Sequence, residues 1–155
     1  MSDLDKSFAA AQAAKSQLTD SSESLTSQAA RFWELLLESL QTTFKAINGD
    51  PAKCKLARGP LKEIDGDKGY CIYTESHPYF SVTIQPHGSG HFTADWKRKD
   101  SLVFEDREKT VKSERFVFEL DKYGVLQTRT KDGQVFNNES DLALYLLEPF
   151  WTTIF

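Results

Sequence analysis

Glycine and proline fall entirely in the later part of this chain, and their distribution limits what the chain can fold into. Residues 1–48 contain neither, whereas residues 49–155 contain all eight glycines and all five prolines. Both residues interrupt helices and mark turns, so their absence permits long helix. The first part is rich in helix-favouring Ala, Gln and Leu, and the second holds 15 of the 19 aromatic residues. This order predicts helix first and sheet second.

Apolar side chains in the first part recur at spacings of three and four residues, which is typical of a helix with one face in a core. They predict a long amphipathic helix over about 24–48, and its apolar stripe consists of Leu25, Ala29, Phe32, Trp33, Leu36, Leu37, Leu40, Phe44 and Ile47. Asn48-Gly49-Asp50-Pro51 is a strong stop, because Gly49 suits a left-handed cap and Pro51 cannot continue a helix.

The segment at residues 4–18 predicts a weaker helix. Most of it is Ala, Gln, Ser and Lys, so it has little to bury, although a few apolar residues lie roughly along one side: Leu4, Phe8, Ala11 and Leu18. This segment could continue the long helix or form a separate arm. A continuous helix over 4–48 would be about 67 Å long, whereas a globule of 155 residues is about 35–40 Å across. We therefore expect a break near residues 19–23. Residues 1–20 would form a weakly anchored helical arm, and residues 21–155 the globular core of a single domain.

Alternating apolar and polar residues in the second part predict half-buried antiparallel strands. We expect a mostly antiparallel meander of six to eight strands, near residues 53–57, 61–65, 69–75, 79–85, 91–97, 101–105, 114–120 and 124–130, with a stub at 134–136. Asn137–Asp141 supplies capping residues for a short C-terminal helix that Pro149 ends or kinks. The fold class is therefore α+β, with N-terminal helices packed on the sheet. The order of elements is similar to that of cystatin-like and nuclear-transport-factor-like folds, a resemblance of architecture that implies no function.

The charge distribution disfavours nucleic acid as a partner. The net charge is −4, and neither residues 1–50, at −3, nor residues 51–155, at −1, forms a strongly basic field. Trp96-Lys97-Arg98-Lys99 places basic groups beside an aromatic ring, but residues 97–115 hold five acidic groups among seven basic ones. We interpret that segment as a solvated strand edge.

Several features favour a cytoplasmic protein. No apolar run approaches the roughly 20 residues that span a bilayer, so we expect no membrane contact. The acidic start of the chain lacks the basic region of a secretory signal. Cys54 and Cys71 match no zinc-binding spacing, and we expect two thiols in a reducing compartment. A disulfide would require their Cα atoms to lie within about 7 Å.

The histidines give the nearest approach to a metal-binding pattern. His87 and His91 are spaced as ligands on a helix would be, but Gly88-Ser89-Gly90 between them predicts a hairpin turn. With Asp95 they could form a metal site, or they could lie in a solvent-exposed turn, which is the interpretation we favour. We expect no metal and no cofactor. The sequence contains no nucleophile elbow, P-loop or dinucleotide-binding pattern, so a non-enzyme is favoured.

Two classes of function remain. The first is a non-catalytic cytoplasmic binding or adaptor protein that acts through protein–protein contacts, with a protein partner or a homo-oligomer formed through the helical arm or the aromatic C-terminus. The alternative is a small-ligand binder or cofactor-free enzyme with a pocket between the long helix and the curved sheet. The candidate ligand-binding residues of that pocket are Tyr70, Tyr73, Tyr79, Trp96 and Phe118.

Overall fold

The computed structural model describes residues 3–66, 69–75, 78–88, 90–99 and 109–153, apart from the side chains of Asp3 and residues 13–23. Its helices are α1 (Asp3–Gly49), α2 (Pro51–Leu56), α3 (Glu139–Leu147) and α4 (Pro149–Thr152). Its strands are β1 (Leu61–Gly66), β2 (Gly69–Thr74), β3 (Tyr79–His87), β4 (His91–Lys99), β5 (Lys109–Leu120), β6 (Leu126–Thr130) and β7 (Val135–Phe136).

The strands form one antiparallel sheet in which each is hydrogen-bonded to its neighbour in the chain, from β1 at one edge to β7 at the other. The predicted α+β class, with a long helix, a meander and a short C-terminal helix, is confirmed. The strand predicted at 101–105 lies outside the described residues. The strand predicted to begin at 114 begins earlier, at Lys109.

A single unbroken helix accounts for the first 47 described residues, and it is about 70 Å long at 1.5 Å per residue. The predicted break near residues 19–23 is wrong, because the backbone is helical throughout that segment. Thr19 and Asp20 are good N-cap residues, but an N-cap residue adopts non-helical backbone angles, and no such change of conformation occurs here. No glycine or proline imposes such a change before Gly49.

The strand predicted at 53–57 is also wrong, because the short helix α2 occupies this position. The carboxylate of Asp50 accepts hydrogen bonds from the backbone N–H groups of Ala52 and Lys53, at 3.0 and 3.3 Å. Pro51 stands in the first turn, where its fixed φ suits a helix and its missing N–H costs nothing. An N-cap followed by proline was therefore a helix start as well as a stop for α1.

One face of the sheet, here called the inner face, carries the core, and the opposite face is the outer face. The buried stripe of α1 packs against the inner face, as predicted, through Ala29, Phe32, Leu36, Leu40, Phe44 and Ile47. Leu25, Trp33 and Leu37 are partly buried beside them. Edge-to-face ring contacts join the two layers, with centroids 5.7 Å apart for Phe32 and Phe118 and 5.6 Å apart for Trp33 and Phe92.

The C-terminal helices complete the cover of the inner face. Asn138 caps α3 by accepting a hydrogen bond from the backbone N–H of Asp141 at 2.8 Å. The indole N–H of Trp96, on β4, donates to the carbonyl of Leu146 at 2.8 Å and so ties α3 to the sheet. After Pro149 the chain turns into α4, and Phe150 is fully buried against Phe80.

The two ends of α1 should therefore differ in their contribution to stability. Leu36→Ala removes a fully buried side chain and should lower the free energy of unfolding by about 2–5 kcal/mol. Leu4→Ala, on the exposed end of the same helix, should change it by less than about 0.5 kcal/mol. Equilibrium urea unfolding of the two variants checks this contrast. Equal losses would mean that the exposed end is part of the folded core.

Candidate interaction surfaces

The N-terminal end of α1 extends beyond the core. Of the predicted arm at residues 1–20, the structure describes the side chains of residues 4–12. From here on, these nine residues are called the arm, and all have exposed side chains. Leu4 and Phe8 are each 66% exposed, and they lie on the same side of the helix because they are four residues apart. Exposed apolar residues are ordinary when scattered singly, but two large ones on one helical stripe form a potential contact surface.

The attachment of α1 to the body becomes evident at Gln28. Its side-chain amide donates to the carbonyl of Gly124 and accepts from the backbone N–H of Leu126, both at 2.9 Å. The turn between β5 and β6 is thereby fixed to the helix. Partial burial begins at Ser24 and Leu25, among the residues whose side chains are described. The arm therefore lies three or more helical turns before these contacts.

A second apolar surface lies where the end of α1 meets α2, α3 and α4. It is a depression of about 330 Å³, here called the helical groove, and it is lined by Thr43, Ala46, Ile47, Lys53, Leu56, Leu144 and Trp151. Leu56 is 68% exposed and Leu144 is 50% exposed, so the groove presents apolar side chains to solvent. Sequence reasoning missed it because Leu56 was placed in a strand. The Asp50-Pro51 helix start was the signal that could have found it.

Three of the five predicted pocket residues belong to the core of the inner face: Tyr70, Trp96 and Phe118. The Tyr70 hydroxyl donates to the carboxylate of Glu63. Burial, together with that carboxylate, raises the pKa of Tyr70 above its usual value. Between α1 and the sheet, a depression of about 180 Å³ opens beside Phe118, Trp33 and Pro86.

The other two predicted residues, Tyr73 and Tyr79, lie on the outer face, because side chains alternate along a strand. They line a shallow open depression of about 530 Å³, together with Ser81, Thr83, Lys97 and Lys99 among others. The pairing register places Tyr73 beside Ser81 and Ser81 beside Lys97. The structure therefore divides the five residues between two faces instead of bringing them into one pocket.

His87 and His91 lie opposite each other on β3 and β4, with their rings stacked at a centroid distance of 4.9 Å. Asp95 is four residues further along β4, about 13 Å from His91 in an extended strand. Its carboxylate instead accepts a hydrogen bond from the Ser113 hydroxyl at 2.5 Å. Within the described parts of the chain, no group of three or more His, Cys, Asp or Glu side chains could hold a metal ion.

The environment of His91 disfavours its protonated form. Desolvation, and then the positive charge of Arg115 and the neighbouring His87, lower the pKa of His91. The sign of the linkage follows directly: a folded-state pKa below the unfolded value near 6.5 means that acid favours the unfolded chain. The stability that is present above the unfolded-state pKa is lost as the pH falls from that value through the lower, folded-state pKa.

Replacing His91 should therefore change the acid side of the stability profile. His91→Gln should lose less unfolding free energy than the wild type between about pH 8 and about pH 5, because glutamine does not titrate. Urea unfolding at a series of pH values measures the difference. Parallel profiles for the two proteins would contradict this expectation.

Lys112, Glu114 and Tyr145 form a polar cluster joined by short hydrogen bonds. The Lys112 ammonium donates to the Tyr145 hydroxyl at 2.8 Å, which in turn donates to the Glu114 carboxylate at 2.5 Å. Desolvation opposes the charged form of Lys112, but the hydrogen bond to Tyr145 and the Glu114 carboxylate outweigh it and raise its pKa. Burial and the bond to Glu114 raise the pKa of Tyr145 as well. Lys112 and Tyr145 keep their protons near neutral pH, and the cluster links β5 to α3.

Removal of the central hydroxyl should weaken this link. Tyr145→Phe keeps the ring and loses both hydrogen bonds, so the free energy of unfolding should fall by about 1–2 kcal/mol. Tyr123→Phe, at an exposed position, is the matched control and should have no measurable effect. Thermal and urea unfolding provide the comparison, and equal stability of the two variants would rule out a structural role for the cluster.

Both cysteines lie within the described residues, Cys54 on α2 and Cys71 on β2, and neither forms a disulfide. None of the helices, over the residues described, is long and apolar enough to cross a membrane. Comparison with protein-family models, with curated proteins and with solved structures finds no match to this chain. Any function must therefore be argued from the surfaces themselves.

Proposed function

We propose that this protein is a non-catalytic interaction module that acts through protein–protein contacts, including contacts between its own copies. The observation that carries the proposal is the arm, with Leu4 and Phe8 each two-thirds exposed on a helix that continues without a break into the core. An apolar stripe on such a projection is available to a partner and contributes nothing to the fold around it.

The continuity of α1 supports this role. An isolated helix of nine residues is marginal in water, because nucleation costs more than so few hydrogen bonds return. Here the packed part of α1, from Leu25 to Ile47, provides the nucleus from which the arm extends. A partner therefore meets a surface that is already helical, and little ordering entropy is lost on binding.

Lys112, Tyr145 and Tyr70, whose pKa values are raised, keep their protons near neutral pH and so do not serve as general bases. The cysteines Cys54 and Cys71, which are not joined to each other, agree with a reducing compartment, and we propose the cytoplasm.

The alternative function, a small-ligand binder or cofactor-free enzyme, has weaker support. Ligand pockets usually measure about 300–1,000 Å³. The depression between α1 and the sheet measures about 180 Å³, and aromatic side chains such as Phe32 and Phe92 fill the rest of that layer.

Sedimentation analysis over a range of concentrations tests the proposal. The 155-residue chain should show a mass above 17.6 kDa that rises with concentration. The double variant Leu4→Ser/Phe8→Ser should remain a monomer, because it lacks the apolar stripe while keeping the fold. Tyr123→Ser/Val125→Ser, at two exposed positions on the body, is the control and should behave as the wild type.

Two results would together contradict the proposal. The first is a wild-type chain that stays monomeric up to about 500 μM, a limit that corresponds to a free energy of association weaker than about −4.5 kcal/mol. The second is equal recovery of the same cellular proteins by the wild type and the arm variant in affinity capture. Association that is unaffected by the arm substitutions would place the contact elsewhere.

A further inference from the structure

We propose that the outer face of the sheet binds a mononucleotide, with its phosphate at Lys97 and Lys99 and its base against the ring of Tyr73. The site is the shallow open depression of about 530 Å³ that Tyr73 and Tyr79 line. This inference goes beyond the proposed function, because it concerns a small ligand and does not depend on the arm.

The depression has a local excess of positive charge. Among the described residues, the charged side chains that line it are all basic: Lys97, Arg98 and Lys99. Asp95 lies one step earlier on the same face of β4, where its carboxylate accepts a hydrogen bond from Ser113, and Glu75 follows the end of β2. Neither carboxylate lines the depression. An anion responds to the charges within about 8–10 Å, so the acidic balance of the whole chain does not prevent its binding here.

Lys97 and Lys99 lack the kind of partner that a nearby lysine has. On the next strand, Lys112 forms an ion pair with Glu114 at 3.3 Å. Within the described parts of the chain, neither Lys97 nor Lys99 has a carboxylate or another hydrogen-bond acceptor, although both side chains are half-buried. A partly desolvated ammonium group without a counter-ion favours an anion from solution.

The place of these lysines in the sheet excludes a role in protecting a strand edge. Lysines on an exposed edge prevent its pairing with another chain. At Lys97, however, β4 is paired on both sides, with Ser81 of β3 and with Thr110 of β5. The interpretation of Trp96-Lys97-Arg98-Lys99 as part of a solvated strand edge is therefore wrong at this position.

The pairing register places groups for a phosphate and for a ring side by side. Ser81 lies between Tyr73 on β2 and Lys97 on β4, and neighbouring strands are about 4.8 Å apart. Lys99 is two residues beyond Lys97 on the same face, about 7 Å further along the strand. The two ammonium groups and the Ser81 hydroxyl can converge on one phosphate, which relieves the repulsion between the like charges. The Tyr73 ring, two strand spacings from Lys97, offers its face to the base.

Size and charge favour a small ligand over a strand of nucleic acid. The volume of the depression is within the range of about 300–1,000 Å³ that is usual for small-molecule sites. A nucleic-acid strand needs a continuous basic groove, whereas Asp95 and Glu119 interrupt the outer face beyond the depression. Stacking on tyrosine accepts any base, because every base has a π-face. We therefore expect selectivity for the phosphate and the ring, without a preference for one base.

Titration of the 155-residue chain with adenosine 5′-monophosphate, followed by NMR of the backbone amides, tests the proposal. Saturable shifts should centre on residues 71–83 and 97–99, and the dissociation constant should be about 1 mM or lower. Adenosine lacks the phosphate and inorganic phosphate lacks the ring. Each should bind at least about tenfold more weakly, because one of the two contacts is lost.

Matched variants assign the two contacts. Lys97→Gln/Lys99→Gln removes both charges and should weaken binding of adenosine 5′-monophosphate at least about tenfold. Tyr73→Ser should weaken its binding while leaving that of inorganic phosphate unchanged, because only the ring is removed. Lys53→Gln/Lys55→Gln, at exposed positions on α2, changes the net charge equally and should bind as the wild type does. The melting temperature of each variant establishes that it is folded.

Any of four results would overturn the inference. The first is no saturable shift up to about 10 mM adenosine 5′-monophosphate. The second is equal binding by Lys97→Gln/Lys99→Gln and the control variant, and the third is adenosine that binds as tightly as its phosphate. The fourth is a single-stranded oligodeoxyadenosine of about ten nucleotides that binds at least a hundredfold more tightly than the mononucleotide, which would make the outer face a nucleic-acid surface. None of these results bears on self-association through the arm, which sedimentation tests separately.

Discussion

The packing of one helical stripe against one face of a sheet organises the rest of this structure. A fully buried Leu or Phe side chain contributes about 1.5–3 kcal/mol, and α1 supplies Phe32, Leu36 and Leu40 along a single line. Among the described residues, the helices cover one face of the meander, and these side chains, with those of α3, pack over its inner residues. The outer face can then carry polar side chains such as Ser81, Thr83 and Lys97 without cost to the core. The same constraint explains the arm, because α1 continues after the sheet has ended.

Much of the fold could be predicted because its elements have simple periodicities. The stripe from Leu25 to Ile47 repeats at helical spacing, and strands β2, β3 and β4 alternate clearly between apolar and polar residues. Both errors arose at signals with two meanings. Asp50-Pro51 ended one helix and started another, and the polar segment at residues 19–23 offered capping groups in the middle of a helix.

The candidate surfaces were harder to predict, and the reason is physical. Periodicity identifies the buried side of an element, but it does not tell which elements come together at a corner. Leu56 and Leu144 are 88 residues apart in sequence, and the groove between them depends on how α2 and α3 meet the end of α1. Tyr70 and Tyr73 show that neighbours in sequence need not belong to the same surface. Both are aromatic residues of one strand, yet alternation sends one into the core and the other to the outer face.

Because α1 is one continuous helix, the direction in which the side chains of the arm point is fixed relative to the core. Each residue of an α-helix turns its side chain by about 100° about the axis, so the direction in which Leu4 and Phe8 face is set by the direction in which Phe32 is buried. The segment between them acts as a spacer whose residue number, more than its composition, determines that direction. One residue inserted directly after Gln12 would keep the helical spacing of the core residues from Leu25 onward and would turn the apolar stripe of the arm by more than a quarter of a revolution.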